Sequence, residues 1–263
     1  KFEEQYSKKI VPALSRYRQL LSMSDEDLKN LIGGDKKHPE FWILQSRNRF
    51  ATSMVWVFLL TISNTGIRPQ ELKKIRWRDI STFNDDDGNQ YTKIDIRKNV
   101  SKVGVFRDVI ARDFLDTYNR LMIYKKEWIR FWGESNWHED RLVFTNIPVK
   151  IKRDDNGNRI YVDEPRELYN PVRRLHKRIG IHEEIIDGRK IFATAYSYRS
   201  YAISQRLKHG LDIYVASKLY GTSIKMLCEV YDYSENKHYV DKITAHTRAQ
   251  PSNYKFAGRV AND

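Results

Sequence analysis

The chain has 263 residues, and its 47 Lys and Arg against 34 Asp and Glu give a formal net charge of +13. Hydrophobic residues make up 40% of the sequence, which predicts a folded core and excludes an intrinsically disordered chain. The single cysteine, Cys228, excludes an internal disulfide framework and a multi-cysteine zinc site. The longest nearly apolar run, residues 54–62, is shorter than the roughly 20 residues of a membrane span. The positive charge favours nucleic acid as a partner, because basic side chains displace counterions from phosphates; a basic protein with solvated lysines is the plainer alternative.

The first part of the chain predicts a series of helices. Apolar residues recur at helical spacing over residues 6–21. Ser24 precedes three acidic residues, which suit the N-terminal end of a short helix. Residues 50–62 are apolar on most sides, which predicts a buried helix. Gly66 is placed to end that helix, and Pro69 fits the first turn of the next one.

Two patches with strand character follow. Polar and apolar residues alternate over residues 91–97, and residues 105–110 form a second short run, so we predict that the two pair as a hairpin. Further along, residues 142–144 and 159–162 flank the turn-forming run at 154–158, which predicts a second β-rich patch.

Helical patterns fill most of the remaining chain. The predicted helices cover residues 114–132, 167–179, 198–208, 213–220 and 224–230. The predicted fold class is therefore mainly α with a small antiparallel β-sheet, an α+β fold.

The sequence lacks the common cofactor and metal motifs. It has no P-loop glycine pattern and no dinucleotide-binding fingerprint, and its histidines do not have metal-ligand spacing. The acidic run at residues 85–88 lacks the ligand ladder of a calcium loop, so it predicts a turn. We therefore expect neither a cofactor nor a metal ion.

The segment T-G-I-R-P-Q-E-L at residues 65–72 places Arg68 at a tight turn after the predicted buried helix. In the plain interpretation, Arg68 is a surface residue that pairs with Glu71. In the alternative, Glu71 orients the Arg68 guanidinium toward a phosphate, since a guanidinium can donate paired hydrogen bonds to phosphate oxygens.

Four segments, in chain order, resemble the tyrosine recombinase (phage integrase) family. Residues 65–72 fit the T-G-x-R-x-x-E-L segment around the first catalytic arginine of that family at every fixed position. Lys102, in K-V-G-V-F-R, resembles the catalytic lysine of its β-hairpin. Residues 195–202, A-Y-S-Y-R-S-Y-A, look like the box that holds its second catalytic arginine, here Arg199.

The fourth segment is similar to the C-terminal signature of the family. Tyr231 lies ten residues after Gly221, as the nucleophilic tyrosine of the family does. The resemblance runs from about residue 50 to residue 233, and it implies a catalytic domain of the tyrosine recombinase type.

The resemblance also implies a reaction. The Tyr231 phenol attacks a DNA phosphodiester and forms a 3′-phosphotyrosine, while Arg68 and Arg199 hold the non-bridging phosphate oxygens. Lys102 donates a proton to the departing 5′ oxygen. In this assignment no divalent metal is required to neutralise the phosphate.

Some positions depart from the common pattern of the family. Tyr196 stands where members often have His or Lys, Ser200 where many have His, and Thr222 where many have His or Trp. We expect Tyr196 and Thr222 to donate hydrogen bonds to the phosphate, and Glu71 to support the site by orienting Arg68.

Two of the assignments have neighbours as alternatives. Lys98 also lies near the predicted hairpin, but Lys102 fits the K-x-G spacing of the family. Tyr233 lies two residues after Tyr231, and the spacing from Gly221 favours Tyr231.

The resemblance further implies a domain division and partners. Residues 1–45 form an N-terminal helical segment leading into a catalytic domain at 46–233, and residues 234–263 form a tail that protomers exchange. We expect the catalytic domain of a longer protein, acting on double-stranded DNA attachment sites as a homo-tetramer on paired sites and monomeric without DNA. The expected setting is DNA in the cytoplasm of a bacterial or phage-infected cell, where the protein serves a phage or other mobile element.

Two competing functions remain open at this point. A basic domain that binds DNA without cutting it accounts for the charge and for the departures at Tyr196, Ser200 and Thr222. A topoisomerase-like nicking enzyme shares the chemistry but acts without bringing two duplexes together.

Overall fold

The computed structural model describes residues 2–147, 152–153, 155–157, 159–160, 163–181, 183–186 and 189–231. Most of these residues are helical, and one three-stranded antiparallel sheet accompanies the helices. The predicted α+β fold class, mainly α with a small antiparallel sheet, is confirmed.

The first part of the chain is helical, as predicted. Its helices are α1 (Phe2–Gln5), which continues through a π-helical turn at Tyr6–Ile10 into α2 (Val11–Ser22), then α3 (Asp25–Ile32), α4 (Ser46–Thr65) and α5 (Pro69–Leu72). The predicted cap at Ser24 is present, since its Oγ accepts a hydrogen bond from the backbone N–H of Asp27. Tyr6, from the π-helical turn, is buried in the same hydrophobic core as α4.

Helix α4 is the central element of the core. Nearly all its residues after the first turn are buried, and α2, α6 (Asp116–Trp132), α7 (Tyr169–Arg178) and α8 (Ala195–Lys208) pack around it. At 1.5 Å per residue its 20 residues extend about 30 Å. The helix therefore separates Arg49, in its first turn, from the site residues that follow its C-terminal end.

The sheet has the strand order β1 (Ile80–Asn84), β2 (Gln90–Ile96) and β3 (Arg107–Ile110). β2 and β3 pair antiparallel with Ile94 opposite Val109, which confirms the predicted hairpin. β1 is an edge strand that the sequence did not predict, because its mixed and largely solvent-facing side chains lack a clear alternation.

The second β-rich patch pairs with segments that the sequence did not predict as strands. Leu142 makes an isolated antiparallel bridge with Arg76, far back in the sequence. The strand that faces β5 (Arg159–Ile160) is β4 (Lys152–Arg153), because the intervening turn closes the shortest available hairpin. A further hairpin of β6 (Glu183–Ile186) and β7 (Arg189–Phe192), not predicted, precedes α8.

Short capped helices form the end of the described chain. They are α8, α9 (Ile213–Tyr220) and α10 (Ile224–Met226), which is followed by a π-helical turn at Leu227–Tyr231. Helix α8 begins three residues earlier than predicted, because Thr194 Oγ1 accepts the backbone N–H of Tyr196 and caps the helix there. Asp212 caps α9 in the same way.

Across the described residues, no helix combines the length and the apolar character that crossing a membrane would take.

Candidate active site

Arg68 is held at the junction between α4 and α5. Gly66 ends α4 with a φ of +68°, and a Cβ at that position would lie 2.5 Å from Cε1 of the buried Tyr220 ring. The chain can therefore turn this closely only at a glycine. The Arg68 guanidinium then donates Nη1–H to Glu71 Oε1 at 3.0 Å and Nη2–H to the carbonyl oxygen of Gly221.

Arg199 reaches the same place from α8. Its side chain is 2% exposed, and it donates Nη1–H to the Gly66 carbonyl and Nη2–H to the Tyr220 carbonyl at 3.1 Å. The acceptors of Arg68 and Arg199 at this turn are thus the carbonyls of consecutive residues, Gly221 and Tyr220. The structure brings together the two arginines that the sequence predicted as partners.

The two guanidiniums interact with each other and with Tyr231. Burial lowers the pKa of Arg199 from its usual value, the positive charge of Arg68 lowers it further, and a hydrogen bond with the Tyr231 side chain partly offsets both. An arginine held in this way stays protonated, and an added negative charge nearby stabilises its charged form. An anion bound beside Arg68 and Arg199 would offset the repulsion between their charges, so the site is suited to binding a phosphate.

Tyr231 is positioned by the second, smaller hydrophobic cluster of the protein. Leu227, one turn earlier, is fully buried there between α8 and α9, and Tyr231 packs against the same cluster. Ser204 on α8 fixes the backbone by donating its hydroxyl to the Tyr231 carbonyl at 2.7 Å. Tyr233, the alternative nucleophile, lies outside the described residues.

A buried carboxylate connects the parts of the site. Glu71 is 1% exposed and accepts hydrogen bonds from Arg68, from both terminal nitrogens of Arg107, and from the backbone N–H of Lys102 at 3.0 Å. Burial would raise the pKa of Glu71, but the hydrogen bonds from Arg107 and Lys102 and the charges of Arg107 and Arg68 outweigh it and lower that pKa below its usual value. Glu71 is therefore a charged group at neutral pH.

Arg107, at the start of β3, is a residue that sequence reasoning missed. It was visible only as the last letter of K-V-G-V-F-R, five residues after Lys102. Its partner Glu71 lies 36 positions earlier in the chain, and no local spacing links the two. The alternation along residues 107–110 was the signal available, because it puts Arg107 on the same face as the buried Val109, and a buried arginine demands a buried carboxylate.

Lys102 lies in the loop between β2 and β3 and lines an open cleft of about 910 Å³. Arg68, Arg107 and Thr222 line the same cleft, as do Tyr214 and Lys218 of α9 on its other wall. Four cationic side chains and one carboxylate, Asp108, belong to the lining. Lys98, the alternative to Lys102, is not part of it.

The cleft lining combines basic and apolar side chains. Exposed apolar side chains lie on both walls, namely Val103, Val105, Phe106, Tyr214 and Val215. Thr222 follows the Gly221 turn and is held by a backbone hydrogen bond to Ser217, at 3.2 Å. A surface of this kind can hold an anionic group with an attached sugar or base.

Tyr196 is not in this cleft. It is 48% exposed in the first turn of α8 and lines a separate, smaller cavity of about 110 Å³ together with Pro69 and Gln70, the two residues that follow Arg68. Ser200, one residue after Arg199, is partly buried. Of the predicted phosphate ligands, Arg68 and Thr222 line this cleft together with the predicted general acid Lys102, and Tyr196 lines the cavity next to it. Arg199 and Tyr231 are not part of the cleft lining.

Within the described part of the chain, no three His, Cys, Asp or Glu side chains are grouped in a way that could hold a metal ion.

Neither a protein-family model nor a curated protein sequence matches this chain. Among solved structures, XerH site-specific recombinase bound to difH substrate in a pre-cleavage complex is similar at 16% identity with a TM-score of 0.49. That match covers 77% of this chain and 48% of the XerH chain, so this chain spans about half the length of that relative. XerA recombinase is similar at 16% identity with a TM-score of 0.45, over 77% of this chain and 63% of its own. Tn1549 transposon integrase in complex with transposon right end DNA has 13% identity and a TM-score of 0.41, over 79% of this chain and 62% of its own.

Proposed function

We propose that this chain is the catalytic part of a site-specific DNA recombinase or integrase that cleaves and rejoins DNA through a covalent 3′-phosphotyrosine. One observation carries the proposal. Arg68 and Arg199, which are 131 positions apart in the sequence, donate to the carbonyls of consecutive residues, and the Tyr231 side chain is near enough to Arg199 to raise the pKa of that arginine. Two fixed cations beside a phenol, next to a basic cleft, suit attack on a phosphodiester.

The reaction exchanges one phosphate ester for another. The Tyr231 oxygen forms a bond to phosphorus, its proton passes to solvent, and the bond from phosphorus to the 5′ oxygen breaks. Lys102 gives a proton to that oxygen, so the products are a 3′-phosphotyrosine and a free 5′ hydroxyl. A 5′ hydroxyl from another strand reverses the step, and no external energy source enters the balance.

Arg68 and Arg199 stabilise the charge that builds on the non-bridging oxygens. A guanidinium has five N–H donors, and the contacts described above leave donors on each arginine for the phosphate. Because the protein carbonyls already fix both groups, little reorganisation is needed during the reaction. Such a preorganised donor contributes on the order of 3 kcal/mol to lowering the barrier.

The proposal also includes the predicted domain division, assembly and origin of the protein. They are the division into 1–45, 46–233 and a tail at 234–263, the assembly of four protomers on paired DNA sites, and an origin in a phage or other mobile element. The tail lies outside the described residues. Helices α1 and α2 pack against the core that also holds α4, which supports residues 1–45 leading directly into the catalytic domain.

A substrate without sequence requirements tests the chemistry. Thymidine 3′-(4-nitrophenyl phosphate) presents the same phosphorus with a leaving group that absorbs light. We expect release of 4-nitrophenolate and a thymidine phosphate adduct on Tyr231, found by mass spectrometry of peptides. Tyr231→Phe should abolish both, whereas Tyr214→Phe, which alters a tyrosine on the wall of the same cleft, should preserve them. Wild-type protein without an adduct, or an adduct on another tyrosine, contradicts the proposal.

The position of Tyr196 favours a second candidate, a basic domain that binds DNA without cutting it. A residue that the family resemblance assigns to the phosphate site lies instead on a neighbouring cavity. For this candidate we expect DNA binding by wild type and by Tyr231→Phe alike, and no adduct with either protein.

A further inference from the structure

Arg107 links three separate segments around the cleft. Its terminal nitrogens donate to the Glu71 carboxylate, and Nη1 also donates to Ser101 Oγ at 3.4 Å, in the loop that carries Lys102. The Arg107 guanidinium also lies against the turn at Gly221, where an added Cβ would come within 3.1 Å of Nη1. The side chain is buried, so these contacts are shielded from water.

The geometry points to Arg107 as a positioning residue that, through Glu71, fixes the Lys102 loop and the Arg68 guanidinium in one arrangement. This inference rests on the proposed function and assigns a role to a residue that does not itself need to touch the phosphate. Glu71 can bind Arg68 and the Lys102 backbone at the same time only if its carboxylate is charged and held in place, and Arg107 makes the two-pronged contact that does both.

The loop otherwise has few anchors. Val103, Val105 and Phe106 are half or more exposed, and Gly104 has a φ of +68° with nothing near its Cβ position. Within the described residues, the hydrogen bond from the Lys102 backbone N–H to Glu71 therefore ties the middle of the loop to the site. Losing Arg107 should release the loop and Arg68 together.

The charged groups that face Glu71 determine how the loss of Arg107 would change the pKa of Glu71. They are Arg107 from β3, Arg68 from the residue before α5 and Arg199 from α8, and the uncharged backbone N–H of Lys102 adds a hydrogen bond. Replacing Arg107 by Met removes the strongest of these partners and leaves the burial of Glu71 in place. The pKa of Glu71 should then rise, so the carboxylate should protonate, and the loop should detach, at a higher pH than in wild type.

The test has a part that needs no DNA. We would follow the Lys102 amide proton by NMR through a pH titration of the full chain in wild type, Arg107→Met and Arg97→Met. Arg97→Met is the matched control, since it removes an arginine that pairs with the buried Asp79 next to the same sheet, at 3.1 Å, and lies outside the cleft lining. We expect the titration midpoint to move to higher pH in Arg107→Met alone.

The second part measures the rate of adduct formation with thymidine 3′-(4-nitrophenyl phosphate) against pH. We expect Arg107→Met to be slower by about 100-fold, as for a displacement near 1 Å, with the acid side of its profile at higher pH. Arg107→Lys retains a charge and one hydrogen bond, so its rate of adduct formation should fall between those of wild type and Arg107→Met. It replaces Arg107→Met if that variant does not fold.

The two parts separate the possible failures. Absence of an adduct with wild type ends the recombinase proposal, while the NMR titration still decides the role of Arg107. An unchanged Lys102 titration in Arg107→Met, or the same shift in Arg97→Met, overturns the assignment of Arg107. A slower rate with an unchanged pH profile also overturns it, because a purely structural loss does not act through the ionisation of Glu71.

Discussion

Lys102 is anchored by its backbone while its side chain faces the open cleft. The hydrogen bond to Glu71 fixes the N–H of this residue, and the residue itself remains exposed. A lysine arranged in this way can approach the leaving group as DNA enters without first breaking an ion pair. This agrees with a general acid, whose effect should grow as the leaving group becomes more basic.

We therefore predict that Lys102→Ala depends on the leaving group. Across thymidine 3′-(aryl phosphates) whose phenols increase in pKa, the wild-type rate should fall gently and the Lys102→Ala rate steeply. The variant should react nearly as well as wild type with 4-nitrophenol leaving and about 100-fold more slowly with the most basic phenol. The measurement is the initial rate of phenol release.

Lys98→Ala is the control for this prediction, because Lys98 is on the same hairpin and does not line the cleft. It should follow wild type for every leaving group. A steep dependence in Lys98→Ala with none in Lys102→Ala would reassign the general acid, and a uniform loss in Lys102→Ala would leave it a role in binding only.

Single residues also show how far the sequence could predict the site. Arg68, Arg199 and Tyr231 could be chosen because their local segments match a known order and spacing. Arg107 could not, because its role depends on a carboxylate brought to it by folding. The position of Tyr196 was missed for a similar reason, since one turn at the start of α8 decides which cavity its side chain lines.

At the scale of elements, the close approach of the C-terminal end of α4 to the last residue of α9 depends on one glycine. Gly66 has a φ of +68° and faces the Tyr220 ring, whose side chain is fully buried. Gly88, in the turn between β1 and β2, has a φ of +82° with nothing near its Cβ position. Both glycines have a positive φ, but only Gly66 has a side chain close to its Cβ position.

This difference gives a prediction about stability. Gly88→Ala should cost about 1 kcal/mol of the free energy of unfolding, the strain of a left-handed alanine. Gly66→Ala adds a clash with a ring that cannot move away, so its cost should reach about 3 kcal/mol. Urea denaturation of both variants measures the difference. Equal costs would show that the Tyr220 ring yields, and then Gly66 matters only for its backbone.

Elements that end at local signals were predicted well. Ser24, Gly66 and Pro69 each act on the next few backbone groups, so their effect is visible in a short stretch of sequence. Strand pairing depends on partners chosen during folding. The edge strand β1 and the bridge between Leu142 and Arg76 were therefore missed.

At the scale of the whole molecule, the basic side chains that give the net charge of +13 differ in how far acidic groups neutralise them. The cleft lining joins Arg68 and Arg107 to Lys102 and Lys218 with one carboxylate among them. The opposite end of α4 is different, since Arg49 there pairs with Glu127 at 2.9 Å. Because Arg68 and Arg107 share the single Glu71 carboxylate, the cleft keeps an excess of positive charge, which should set the affinity for DNA and its dependence on salt.

Lys218 allows that expectation to be measured without touching the proposed chemistry. Its Nζ lies 4.4 Å from the centre of the Tyr214 ring on the cleft wall, so it can contact a phosphate of DNA that enters the cleft. We predict that Lys218→Gln weakens binding to duplexes of unrelated sequence alike and reduces the slope of log affinity against log salt by about 1. Lys126→Gln, next to Glu127 at the far end of α4, should leave the slope unchanged. Fluorescence anisotropy with labelled duplexes over a range of salt concentrations measures both. Equal reductions in the two variants would show that DNA affinity depends on the overall charge, which would contradict the cleft as the DNA-binding face.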